Sequence, residues 1–66
     1  MTTNELIQEL EHNGFSRMNR LGTWFSKGET VVLVGANEIV VTKQDEMRRF
    51  KVRTELFLAS QYLKKE

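Results

Sequence analysis

The stretch MRRFKVRTELF, residues 47–57, places Arg48, Arg49, Lys51 and Arg53 close together, with Phe50 and Val52 between them. Cations at this density can neutralise the phosphates of a nucleic acid or meet the carboxylates of an acidic protein. They can also simply keep one face of an element in water, and that is the first reading. On a helix, Arg49 and Arg53 would be i, i+4 neighbours, while Arg48 and Lys51 would point elsewhere. Asp45 and Glu46 would then pair with Arg49 locally. A nucleic-acid surface would need Arg17, Arg20 and Lys27 to join Arg48, Arg49, Lys51 and Arg53 on one side. The isoelectric point near 8.1 falls short of the strongly basic character of such binders.

Other chemistry is sparse. The one histidine, His12, is expected in the last turn of a helix, where the helix dipole favours it without any catalytic role. Ser16, Ser26 and Ser60 lie in no nucleophile-elbow context. Glu5, Glu9 and Glu11 read as the solvated side of a helix, not as an ordered loop of oxygens around a hard cation. Gly14, Gly22, Gly28 and Gly35 are too dispersed for a phosphate loop and suit caps and turns. With no cysteine there is no disulfide and no thiolate metal site. No catalytic constellation, cofactor site or metal site is expected.

These residues must be positioned by a small scaffold. Sixty-six residues make one domain, 1–66, which buries only about 60% of the surface its unfolded chain exposes. No apolar run approaches the ~18 residues a membrane span needs, and Met1–Glu5 does not open like a secretory signal. The expectation is a cytoplasmic protein. Charge is unevenly spread: residues 1–14 carry Glu5, Glu9 and Glu11 with no Lys or Arg, whereas most cations follow Thr42.

Residues 3–13 predict a helix. Thr2 with Glu5 forms a capping box, Leu6, Ile7 and Leu10 share a face, and Gly14 ends the helix so that Phe15 folds back on Leu10. TWFS, TVVLV and EIVVT predict strands joined by turns at KGE and GAN, with SRMNR a weaker candidate. Val31–Val34 is apolar on both faces and suits a central strand. Trp24 and Phe25 must point to opposite faces, one of them into the core. For residues 43–65 the preferred reading is one long helix, with Thr42 and Asp45 as its capping box and Val52, Leu56, Ala59 and Leu63 as its stripe. The competing reading takes the alternation over Phe50–Thr54 as a strand, with Thr54 capping a shorter helix. Either way the fold class is α+β: an N-terminal helix, a three- to four-stranded antiparallel meander and a C-terminal helix.

Residues 5–24, ELIQELEHNGFSRMNRLGTW, resemble the opening of HicA-type toxins, which share a helix, then NGF, then a strand leading to a glycine. The resemblance implies a fold similar to double-stranded-RNA-binding domains. Those toxins cleave RNA with a histidine just after that glycine. Here Gly22 is followed by Thr23 and Trp24, so the resemblance does not extend to a nuclease.

If residues 43–65 are helical, their apolar side chains exceed one face, and a partner protein or a second copy must cover the rest. The proposed contact set is Phe50, Phe57, Leu58 and Tyr62, ringed by Arg49 and Arg53. The expected function is a non-enzymatic protein-binding module, by analogy an inhibitor or accessory protein of the kind carried by phages and mobile elements. The alternative is a nucleic-acid binder that uses the basic residues of 17–27 and 48–53.

Overall fold

The computed structural model describes residues 1–64. Helix α1, Thr3–His12, is followed by strands β1 (Ser16–Arg17), β2 (Trp24–Lys27), β3 (Thr30–Val34), β4 (Glu38–Lys43) and β5 (Glu46–Lys51), and then by helix α2, Leu56–Lys64. The strands form one antiparallel sheet in the order β1-β2-β3-β4-β5, so the chain is α+β with a meander between two helices.

The first helix begins and ends as its sequence dictates. The Thr2 hydroxyl accepts the Glu5 N–H at 3.2 Å, and the Glu5 carboxylate accepts the Thr2 N–H at 2.8 Å. At the other end Gly14 adopts φ +93°, a conformation that L side chains rarely take. This lets the Gly14 N–H donate to the Glu11 carbonyl and the Phe15 N–H to the Leu10 carbonyl. Phe15 thereby joins Leu6 and Leu10 in the core.

Each strand then follows a period of two. Phe25, Val32, Val34, Ile39 and Val41 point to the side covered by the helices and are buried. The register aligns Phe25, Val32 and Val41 across β2, β3 and β4, which stacks them beneath the Leu6–Leu10 face of α1 and Leu56 of α2. β3 is the middle strand, as its four consecutive apolar residues suggested.

The long helix over residues 43–65 does not form. Residues 46–51 are instead the edge strand β5, paired in register with β4 from Lys43↔Glu46 to Glu38↔Lys51. The reversal is a two-residue turn in which Gln44 takes φ +49°. Thr42 lies within β4 and Asp45 within the turn, so they do not cap a helix. The reason is tertiary. The outer edge of β4 offers a full ladder of hydrogen bonds, and pairing with it places Phe50 beside Ile39, above the core. Good intrinsic helix formers do not outweigh that gain. The competing strand-then-helix reading holds in its order of elements and not in its bounds: the strand is Glu46–Lys51, residues 52–54 form a turn, and the helix starts later than Thr54, with Ala59 donating to the Glu55 carbonyl and Leu56 the first helical residue. Residue 65, the expected end of the helix, lies outside the described residues.

The two helices are tied together through Glu9. Its Oε1 accepts from the buried Ser60 hydroxyl at 2.7 Å and from Lys64 Nζ at 2.9 Å. Both contacts hold the Glu9 carboxyl below its ordinary range, Lys64 more than Ser60.

Candidate functional site

Both helices lie on the same side of the sheet, so its other face is uncovered. The strand period that buries Phe25, Val32 and Val41 turns their neighbours outward. The register builds these neighbours into a row across β2 to β5: Trp24, Leu33, Val40 and Arg49. The Met18 N–H donates to the Trp24 carbonyl at 2.8 Å, which continues β1–β2 pairing by one residue and adds Met18 to the row. A second row holds Ser26, Val31, Thr42 and Met47. Trp24 is 44% exposed, Leu33 45% and Met47 57%. Four strand spacings by about five residues give this face on the order of 300–400 Å² in projection. Ser26, Thr42 and Arg49 take part of that area, so the apolar patch is smaller than the face and within what a soluble monomer ordinarily shows.

The cations divide between the two sides. On the helix side, Arg17 pairs with Glu11 at 3.3 Å and lies over the Phe25 ring. Lys27 donates to the Asn13 carbonyl at 2.8 Å. Arg48 pairs with Glu46 at 2.9 Å and lies over the Tyr62 ring, and the Glu46 carboxylate raises its already high pKa further. Arg20 is exposed in the loop between β1 and β2. Arg49 and Lys51 share the open face, Lys51 opposite Glu38, and Arg53 follows in the turn beyond β5. The seven cations proposed for nucleic acid are therefore not brought to one side. The expected pairing of Arg49 with Asp45 or Glu46 is also absent, because on a strand Glu46 shares a face with Arg48.

The proposed protein-contact residues are partly gathered. Arg49, Phe50, Leu58 and Tyr62 line one shallow depression between β5 and α2, together with Glu55. Phe50 and Tyr62 are half-buried and pack against each other with ring centroids 5.7 Å apart. Their apolar surface is thus largely used within the chain. Phe57, 63% exposed, lies outside this depression, roughly 100° round the helix from Leu58. Arg53 lines a different depression, beside Gly35, Asn37 and Lys51. The surplus apolar surface of the C-terminal third shrinks to Met47, Phe57 and Leu58.

Sequence reasoning singled out Trp24 but missed Met18, Leu33 and Met47 as members of one exposed face. The signal was present in Val31–Val34. A strand apolar on both sides, in a chain with helices enough to cover only one, leaves the other bare.

Elsewhere the side chains are occupied in holding the fold. A cleft of about 210 Å³ between the helices has Glu9, Ser60 and Lys64 on its wall, below the size of ordinary small-molecule pockets. There the Ser60 hydroxyl donates to a carboxylate that is already paired with Lys64. Among the described residues no three His, Asp or Glu side chains gather closely enough to hold a metal ion. No helix among them is long and apolar enough to cross a membrane.

Comparison of the chain with protein-family models, with curated proteins and with solved structures finds no match to any of them.

Proposed function

We propose that this protein is a non-enzymatic binding module whose uncovered sheet face docks against another protein, and that it acts as an inhibitor or accessory factor by occluding that partner's surface. One observation carries the proposal: the row Met18, Trp24, Leu33 and Val40 runs across a sheet whose opposite face is already closed by both helices. The fold needs no further cover there, so the exposed side chains are available to a partner. Trp24 supplies a large, rigid anchor of the kind that dominates protein interfaces. Arg49, Lys51 and Arg53 border the face and make no ion pair among the described residues. A partner with an apolar centre and a carboxylate-bearing rim complements both features. In projection the face is at most about half the ~800 Å² of accessible surface per partner that a standard interface buries. A heterologous partner that also reaches the basic border suits it better than a symmetric stack of two sheets.

The test compares wild-type protein with Leu33→Glu as bait in extracts of the native cell, both checked by circular dichroism for retained fold. The wild type retains a partner that Leu33→Glu loses, and the purified partner rebinds wild type only. Equal retention by the two baits contradicts the proposal.

The second reading is single-stranded nucleic acid lying on the same face. It is favoured by the exposed Trp24 as a base-stacking surface, with Arg49 and Lys51 for phosphates. It predicts low-salt affinity that falls with salt at a slope set by two or three phosphates. The same Leu33→Glu protein, titrated with labelled single strands, tests it directly.

A further inference from the structure

Strand β5 is the long free edge of the sheet, and its main chain is open over only part of its length. Antiparallel pairing alternates which residues spend their N–H and C=O on the neighbouring strand. The Val52 N–H donates to the Asn37 carbonyl, so Val52, Phe50 and Arg48 face β4, and Lys51, Arg49 and Met47 face outward. Lys51 is already closed. Its N–H donates to the Glu55 carboxylate at 2.8 Å, and its carbonyl accepts the Glu55 N–H at 2.8 Å. Met47 and Arg49 have no such partner among the described residues.

We infer that this edge accepts an extended peptide segment of a partner as a sixth, antiparallel strand, and that the segment alternates acidic with apolar residues. The proposal takes from the preceding reading only that the ligand is a protein. Main-chain groups of Met47 and Arg49 supply the pairing, and the side chains on either side supply the sequence preference. On the open-face side, a paired segment meets Arg49 and Lys51, which favour carboxylates. On the helix side, it meets a depression in which the exposed Leu58 offers apolar contact beside the half-buried Phe50 and Tyr62, with Arg48, Glu55 and Gln61 on the same wall. Glu55 is an internal precedent, because the chain itself places a carboxylate on the outward N–H of Lys51.

A second copy of this chain is a poorer occupant. A two-fold arrangement that used both open residues would pair Met47 with Arg49 and set Arg48 against its own copy. Like charges directly opposite on paired strands are destabilising. Cations on an edge strand commonly serve to prevent such self-association. An acidic segment turns the same charges into attraction.

The probe is the capped peptide acetyl-EVDLEVDL-amide, titrated at low salt into ¹⁵N-labelled protein. The amides of Met47 and Arg49 are expected to shift and to gain protection from exchange, and binding is expected to weaken as salt rises. Methylating the amide nitrogens of the acidic peptide residues, which would face β5, should weaken binding by about tenfold or more, as expected from losing one or two hydrogen bonds. The methylated peptide leaves the protein untouched, so loss of fold cannot explain that result. Absence of shifts at Met47 and Arg49 at millimolar peptide overturns the proposal, as does equal binding of the methylated peptide. Shifts confined to Trp24 and Leu33 overturn the edge site while leaving the open face as the docking surface. Failure of the Leu33→Glu comparison does the reverse.

Discussion

Replacing Val32 and Leu33 by threonine, one at a time, tests which face of the sheet is dry. The two residues are adjacent on β3, and only the face differs: Val32 is fully buried and Leu33 is 45% exposed. Val32→Thr keeps the side-chain shape but buries a hydroxyl with no evident partner, at a cost of about 1–3 kcal/mol. Leu33→Thr loses roughly half the 1.5–3 kcal/mol that full burial of a leucine contributes. Threonine returns part of this through its methyl group and its fitness for strands, leaving about 0.5–1 kcal/mol. In a domain of this size each 1 kcal/mol moves the melting temperature by about 4–8 °C. Val32→Thr should therefore lower Tm by about 4–24 °C and Leu33→Thr by about 2–8 °C, the larger loss falling at the buried position. Thermal unfolding by circular dichroism over a hundredfold range of protein concentration measures both. Equal losses, or a concentration-dependent Tm for wild type that Leu33→Thr abolishes, would show that the open face is already covered in the free protein.

Two further substitutions probe the elements that support this face. Gly14→Ala forces a Cβ onto a residue at φ +93° and should destabilise by about 1–2 kcal/mol, read as a lower denaturation midpoint in urea. The Glu9 carboxyl has its pKa lowered in the folded state, so the unfolded chain holds its proton more tightly. The stabilisation is therefore complete above the ordinary value near 4.5 and is lost as pH falls from there through the folded value. Glu9→Gln should cost stability at pH 7 and progressively less toward pH 3, and urea melts across that range will show whether the gap closes.

Much of the scaffold was legible because it is local. The capping box at Thr2 and Glu5, the glycine stop at Gly14 and the Gly28 turn are each specified within a few residues. The segment 43–51 was not legible in that way. Its residues favour a helix, and only the free edge of β4 beside it makes the strand the better state. From that one difference follows the separation of the cations. A helix would have scattered them around an axis, whereas the strand sends Arg48 to the helix side and Arg49 to the open face. The depression joining Phe50, Leu58 and Tyr62 was partly anticipated from residue type. The row through Met18, Leu33 and Val40 depends on long-range register, which single-residue patterns do not encode. The bare second face of Val31–Val34 was nonetheless a hint, since one of its two apolar sides had no helix to meet.

The most direct measurement is site-specific photo-crosslinking in the native cell. A photoreactive phenylalanine analogue is placed at Leu33 on the open face and, as a control, at Gln8 on the exposed side of α1. Docking through the sheet predicts a discrete crosslinked protein species at position 33, competed by the untagged wild-type chain, and none at position 8. Crosslinks of that kind at position 8 alone, or none at 33 under conditions where position 8 reacts, would contradict it.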